Sequence, residues 1–342
     1  MSAKKYFVFE LKKALFAICS IALIMTAITV AAILTTPYSG RGMAESGIRA
    51  IVFMTVALAA VVPIWMMSYR MKKRSVDLYY SLPLKRTQIL RVKYLLGLIA
   101  VYAPFTVAFF LGALAAVIRY PSGAIAGQYY FAAYLAALPA IFCIYSIMSF
   151  VFTRAQRTLD GIVFVIFWLF AMFAVASVVG RFFDGVQARL FTPIAPLSQV
   201  SYSFRDYIEL PNWSGSRYGD NYLVKMTIGF ILTGLQAIAA TVLLFVTEPK
   251  AKTENIGGVS SSPFGYKVMI PLFTVCLLMY IDIIDSSYEI YLAVIVVSLA
   301  YMLTALYKHT FKIGKVQAII FVGSIVLGII LSIVASYVTA AM

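Results

Sequence analysis

The sequence predicts an all-α polytopic membrane protein with about nine transmembrane helices. Hydrophobic residues make up 63% of the 342 residues and charged residues only 12%, about half the charged share of a soluble domain. The apolar residues form nine long runs, and a helix of roughly 20 apolar residues is enough to cross a bilayer. Together these runs leave too little chain for a large soluble domain.

Short polar connectors separate the nine predicted spans. The first run is too long for the apolar region of a cleaved signal peptide, which has about 7–15 residues, so it is predicted to be a span. The spans cover approximately residues 14–35, 50–69, 89–118, 129–152, 162–180, 225–247, 268–284, 288–307 and 316–340.

The charges predict the orientation of these spans. When connectors are assigned alternately to two sides, the side that holds the N-terminus carries 20 of the 28 basic residues and 5 of the 13 acidic residues. The other side carries 8 of each, so the whole net charge of +15 falls on one side. This asymmetry predicts a membrane orientation with the N-terminus inside and the C-terminus outside. It also explains the basic pI without nucleic acid, which we do not expect as a partner.

The N-terminal residues 1–13 are predicted to form an interfacial helix that lies on the inner leaflet. An apolar face and a polar face share the helical wheel over residues 3–16. A plain helical lead-in to the first span explains the same residues equally well. The apolar face holds Phe7, Val8, Leu11 and Leu15, and the polar face holds Lys5, Glu10, Lys12 and Lys13.

Two long connectors suggest how the chain is divided. The outer connector 181–224 is rich in Tyr, Trp and Pro, which favours short interfacial helices. The inner connector 248–267 is rich in Gly and Ser and reads as a cytoplasmic linker. It would divide a six-span core, residues 1–247, from a three-span C-terminal unit, residues 268–342.

The chain lacks the residue patterns of a catalytic, metal or ATP-binding site. No predicted span carries a charged residue near its middle, which disfavours an ion-coupled transporter or a membrane enzyme. Cys19, Cys143 and Cys276 lie in three different spans and are predicted to be small buried apolar residues. The phosphate-binding pattern GxxxxGK[ST] is absent, so ATP would have to act through another subunit. Gln236, the best polar candidate within a span, is more typical of helix–helix contact.

The connector between the second and third spans is the most specific stretch. Residues 66–93 hold eight basic residues and one acidic residue. A basic loop against anionic lipid would explain this charge but not the pattern. Ser75 to Tyr80 is predicted to form a short helix with Asp77 near its start, where the helix dipole favours a negative charge. Pro83 then ends this helix before the next one begins.

This stretch resembles the permease subunits of ABC-2-type ABC transporters, in the long bacterial Ytr-like subgroup. The matching residues are Asp77, Tyr80, Ser81, Leu82, Pro83, Arg86 and Lys93. The resemblance implies that residues 70–88 form a coupling segment that docks on a separate ABC ATP-binding subunit. It also implies two copies of that subunit, which would hold ATP and Mg, and a second permease, identical or related. The implied contact residues are Asp77, Leu78, Tyr79, Tyr80, Ser81, Leu82, Pro83 and Arg86.

The resemblance further implies that the second and fifth spans face the two-fold axis of a permease pair. In the fifth span an aromatic and small-residue stripe fits a pathway or dimer face, although a lipid-facing stripe is an equal alternative. This stripe consists of Phe164, Phe167, Trp168 and Ala171.

The function expected from these features is that of a non-enzymatic permease subunit in an ATP-driven ABC transporter. Abundant aromatic residues and uncharged spans suit an amphiphile, such as a lipid-linked molecule or an antimicrobial peptide to which the transporter confers resistance. The main alternative is a polytopic sensor or assembly factor that shares the fold but transports nothing. A secondary transporter or membrane enzyme is the weakest alternative, because the intramembrane residues it needs are missing.

Overall fold

A computed structural model describes ten α-helices and one 3-10 turn. No strand occurs in the residues it describes. These residues are 3–35, 42–119, 127–182, 222–248, 257–281 except 259, 261, 263 and 264, 287–308, 311–312 and 314–341.

Each of the nine predicted spans coincides with one helix, and the tenth helix, α3, is the short one in the predicted coupling segment. The helices are α1 Ala3–Thr35, α2 Gly42–Met67, α3 Lys73–Tyr80, α4 Arg86–Arg119, α5 Gly127–Thr153, α6 Thr158–Phe182, α7 Tyr222–Thr247, α8 Tyr266–Tyr280, α9 Ser287–Lys308 and α10 Lys315–Ala341. The 3-10 turn is Ser68–Met71, between α2 and α3.

Five stretches among the described residues are long and apolar enough to cross a membrane. They are Ala3–Thr35, Ser46–Met71, Arg86–Arg119, Ala133–Thr153 and Lys315–Tyr337. Shorter apolar stretches occur in α6, α7, α8 and α9. Many large apolar side chains on these helices are exposed, such as Phe16 at 83% and Phe53 at 77%. A membrane-embedded helical protein follows from this pattern, while nine crossings stay a prediction.

The N-terminal residues do not form a separate helix. α1 runs without interruption from Ala3 to Thr35, so the lead-in alternative describes this segment. The buried side of its first turns is also not the predicted apolar face, since Val8 and Leu15 are exposed. Tyr6, Glu10, Ala14 and Ile18 are buried instead, at a spacing of four residues. Glu10 forms a buried ion pair, described below, and this pair explains why its side of α1 faces the protein.

The first compact unit contains α1 to α5 and α7. α4 packs against α1, α2 and α5, and α5 packs against α2 and α7. Hydrogen bonds join three of these helices: the Tyr94 hydroxyl lies 2.8 Å from Ser146 Oγ and 3.3 Å from Thr241 Oγ1. Next to them, the fully buried Tyr145 donates to the Tyr94 carbonyl oxygen at 3.1 Å. Such satisfied polar groups fix helix register where apolar packing alone does not.

The second compact unit contains α6, α8, α9 and α10. α8 packs against the other three helices. On the α6 side, the Phe164 ring lies 5.1 Å from the Tyr266 ring, and the Phe167 ring lies 5.5 Å from the Phe273 ring. On the α10 side, Gly328 allows close approach, because a Cβ atom there would stand 2.9 Å from Leu278 Cβ.

The two compact units differ in their boundaries from the predicted domains. α6, the fifth predicted span, packs with the C-terminal helices, so a six-span core over residues 1–247 is not one compact unit. Its aromatic contacts with α8 provide the physical reason. The predicted outer connector 181–224 lies almost entirely outside the described residues, as does most of the linker 248–267.

Candidate partner-docking site at α3

The segment between α2 and α4 folds as a turn, a short helix and a second turn. α3 begins where the backbone N–H groups of Ser75 and Val76 donate to the Lys72 carbonyl oxygen. It ends at Ser81, whose N–H donates to the Asp77 carbonyl oxygen at 3.0 Å. Pro83 follows two residues later and cannot continue a helix. The short helix predicted from Ser75 to Tyr80 is thus confirmed, with two more residues at its start. Because the helix begins at Lys73, Asp77 is its fifth residue, and the predicted position of Asp77 near the helix start is wrong.

α3 has one anchored side and one open side. Val76 is 4% exposed and Tyr79 is half-buried, so they hold the helix against the protein. Leu78 is 67% exposed, and Asp77 lies beside it in the open. Of the other predicted contact residues, Leu82 is half-buried and Ser81, Pro83 and Arg86 are exposed, while the side chain of Tyr80 lies outside what the structure describes.

A buried ion pair lies beneath the anchored side of α3. Lys93 Nζ on α4 is 2.9 Å from Glu10 Oε2 on α1, and the two side chains are 8% and 7% exposed. The Lys93 ammonium also stands 5.0 Å from the centre of the Tyr79 ring and 5.9 Å from that of Tyr69, within reach of cation–π attraction. The two rings contact each other at 5.0 Å. Side chains from α1, α3, α4 and the 3-10 turn therefore meet at the buried Lys93 ammonium group.

The surroundings of Tyr79 keep its hydroxyl group protonated. Burial raises the pKa of the Tyr79 hydroxyl, and the nearby Glu10 carboxylate raises it further. The phenol is consequently a neutral hydrogen-bond donor throughout the physiological pH range. A cavity of about 270 Å³ adjoins the cluster. Its lining includes Glu10, Lys13, Trp65, Lys72, Tyr79 and Lys93.

A second buried ion pair fixes the 3-10 turn that leads into α3. Arg70 pairs with Glu248, and the two side chains are 11% and 5% exposed. Arg70 Nη1 also donates to the Thr153 carbonyl oxygen at 3.0 Å. The turn is thereby tied to the C-terminal ends of α5 and α7. Tyr69, the preceding residue, belongs to the first cluster, so the contacts of α3 and of this turn together lead to four long helices, α1, α4, α5 and α7.

The predicted pathway or dimer stripe on α6 lies partly inside the second unit. Phe164 and Ala171 are 0% and 2% exposed, and Phe164 packs against Tyr266. Phe167 and Trp168 are half-buried. Exposed residues on the described part of this helix include Val163, Ile166 and Phe170. A dimer contact through α6 stays a prediction, and these exposed side chains are candidates for it.

The sequence analysis named Lys93 in the coupling motif and Glu10 on a polar helix face but did not pair them, and it also missed the pair formed by Arg70 and Glu248. The available signal was weak: Glu10 is the single acidic residue in the basic N-terminal segment, and Glu248 ends an apolar run. No spacing rule links residues 83 positions apart. Among the described residues, no group of three or more His, Cys, Asp or Glu side chains could hold a metal ion.

Comparison of the chain with protein-family models, with curated proteins and with solved structures gives no significant match.

Proposed function

We propose that this chain is the membrane-spanning permease subunit of an ATP-driven ABC transporter of the ABC-2 type, with α3 as its docking element. One observation carries the proposal: α3 exposes Leu78 and Asp77 while its other side rests on the buried Glu10–Lys93 pair. A soluble partner that binds a short helix held in this way can displace it, and the buried contacts transmit this displacement to the spans. A loop that only binds lipid needs no such support.

In this proposal the chain hydrolyses no ATP. Two copies of an ABC ATP-binding subunit carry ATP and Mg, and they bind below two permease chains, identical or related, in the bacterial cytoplasmic membrane. Closure of the ATPases moves α3, and the two buried ion pairs transfer this motion to the long helices of the first unit. The pathway then switches between inward and outward states. The N-terminus lies inside and the C-terminus outside.

The proposed cargo is an amphiphile, such as a lipid-linked molecule or an antimicrobial peptide. Apolar and aromatic side chains dominate the exposed faces of the long helices, and such surfaces suit a partly apolar molecule better than a small ion. Transport of such molecules would confer resistance where the cargo is toxic.

Site-specific photocrosslinking tests the docking role. A photoreactive amino acid replaces Leu78 in one version of the protein and Leu159 in a matched control. Leu159 is 74% exposed and lies on the same predicted side of the membrane. We expect Leu78, and not Leu159, to capture a protein that contains GxxxxGK[ST] and hydrolyses ATP. Capture of no ATPase would favour the sensor or assembly factor.

A variant tests whether this contact matters. An unpaired charge buried at an interface costs on the order of several kcal/mol, so Leu78→Asp should abolish both co-purification with the ATPase and any stimulation of its ATP hydrolysis. Leu78→Met should preserve both. Equal behaviour of the two variants would refute docking through this face of α3.

A further inference from the structure

The second unit contains a groove that the docking site does not involve. It lies among α6, α8 and α9 and has a volume of about 500 Å³, within the range of pockets that bind small molecules. Its long wall is apolar. This wall includes Phe167, Met269, Phe273, Leu277, Val296 and Leu299.

The groove is polar at one end only. Arg157 and Asp160 lie there, at the start of α6, together with Tyr266 at the start of α8 and Tyr307 near the end of α9. The one polar side chain deeper in the groove, among its described lining residues, is Thr274, which donates to the Ile270 carbonyl oxygen at 2.8 Å. The groove thus has the polarity of an amphiphile.

The two charged side chains at the polar end, Arg157 and Asp160, have hydrogen-bonding atoms left for a ligand. Arg157 and Asp160 form no ion pair with each other or with another described residue. Arg157 donates from Nε to the Gly257 carbonyl oxygen at 2.5 Å, which leaves its terminal nitrogens for a ligand. Asp160 accepts a hydrogen bond from the Tyr266 hydroxyl through Oδ1 at 3.0 Å, which leaves Oδ2 for a ligand. A cation and an anion therefore both line the polar end of an apolar groove.

The length of the groove fits one leaflet of a bilayer. From Tyr266 to Leu277 the wall extends along α8 by about 16 Å, at 1.5 Å per residue. Half of the hydrocarbon core is about 15 Å thick. The rim is accessible from the side, since Val163, Leu299 and Leu303 are 44%, 53% and 48% exposed. A molecule with an acyl chain can therefore enter laterally and keep its headgroup at the interface.

We propose that this groove binds one phospholipid whose headgroup carries both a phosphate and a primary ammonium group. Arg157 holds the phosphate, since a guanidinium suits phosphate oxygens. Asp160 accepts from the ammonium, and an acyl chain lies along α8 between Phe167 and Leu299. A purely anionic headgroup would meet the Asp160 carboxylate, and a purely cationic one would meet Arg157. This lipid site goes beyond the permease function and does not depend on it.

Native mass spectrometry of the full chain in detergent tests the headgroup. The probes are phosphatidylethanolamine and phosphatidylcholine with identical acyl chains; both are zwitterionic, but only the first has N–H donors. We expect preferential retention of one phosphatidylethanolamine. Arg157→Gln should weaken its binding by about tenfold, the usual effect of losing a charge-assisted hydrogen bond. Asp160→Asn should reduce the preference over phosphatidylcholine. Equal retention of the two lipids by the unaltered protein would overturn the proposal.

Two further variants separate the groove from the general surface. Lys267→Gln removes an exposed cation next to Tyr266 that does not line the groove, and it should leave lipid binding unchanged. Ala300→Phe fills the groove at a buried lining position and should abolish retention. Unchanged retention in Ala300→Phe would place the lipid elsewhere and refute the site.

Photolabelling of the unaltered protein covers the case in which a variant does not fold. Phosphatidylethanolamine with a diazirine in its acyl chain is incorporated into vesicles that contain the protein. We expect the label on groove residues of α8, such as Phe273 and Leu277, with displacement by excess unlabelled phosphatidylethanolamine. Uniform labelling of all long helices would contradict the proposal.

Discussion

Lys93 Nζ lies 2.9 Å from Glu10 Oε2, although the two residues are 83 positions apart. Both side chains are almost completely buried, and the rings of Tyr69 and Tyr79 flank the ammonium. The pair joins α1 and α4 directly below the short helix α3. It is the contact through which the open face of α3 connects to the long helices.

Removal of either partner of this pair should strongly destabilise the protein. Glu10→Gln or Lys93→Met leaves one buried charge without its partner, which costs about 3–5 kcal/mol. Replacement of both residues removes both charges and should recover part of the loss. The midpoint of thermal unfolding in detergent provides the measurement. Lys12→Gln, an exposed neighbour, is the control, and strictly additive losses in the double variant would contradict this coupling.

The pair of Arg70 and Glu248 should behave differently, because Arg70 makes two contacts. It pairs with Glu248 and also donates to the Thr153 carbonyl oxygen. Arg70→Lys retains the charge but not the fork of donors, so it should be intermediate between the unaltered protein and Arg70→Met. Thermal unfolding again reports the order. The exposed Lys72→Met should have little effect; a comparable loss there would mean that general charge, not this pair, stabilises the turn.

Gly97 should tolerate no side chain. A Cβ atom there would overlap the hydroxyl oxygen of the fully buried Tyr145, which must then move and lose its hydrogen bond to the Tyr94 carbonyl oxygen. We expect Gly97→Ala to cost about 1–3 kcal/mol. Gly234→Ala is the matched control, since nothing lies within 4 Å of a Cβ atom there. It should be neutral or slightly stabilising, because Ala favours a helix over Gly by about 1 kcal/mol. Equal effects of the two variants would disprove the steric explanation.

The topology predicted from charge can be tested with single cysteines. Cys143 and Cys276 are buried and Cys19 is exposed, so Cys19→Ala provides the background. An impermeant thiol reagent on intact cells should label Ser214→Cys, in the outer connector, and leave Lys312→Cys unlabelled until the membrane is permeabilised. Lys312 is exposed in the structure, so a failure of labelling would reflect its side of the membrane and not burial. Labelling of Lys312→Cys in intact cells would reverse the orientation.

Local features of the chain were predictable from the sequence. Each of the nine apolar runs forms a helix, because in an apolar environment the backbone N–H and C=O groups find their hydrogen-bond partners within a helix. α3 was predictable from the polar stretch that ends before Pro83. The α6 stripe was recognisable from helical spacing, and Phe164 and Ala171 do lie on one buried side. Hydropathy and spacing describe one element at a time, however, so they did not show that this side packs on α8.

The sequence by itself determined that this protein is helical and apolar, because helix periodicity and span length depend on residues close together in the chain; its sidedness stays a prediction. Only the tertiary structure decided which distant residues meet. It paired Glu10 with Lys93, joined Arg70 to Glu248, placed α6 with the C-terminal helices and brought Arg157 and Asp160 to the mouth of an apolar groove. Buried charges find partners wherever packing brings them together, and that choice depends on the whole fold and not on any local pattern.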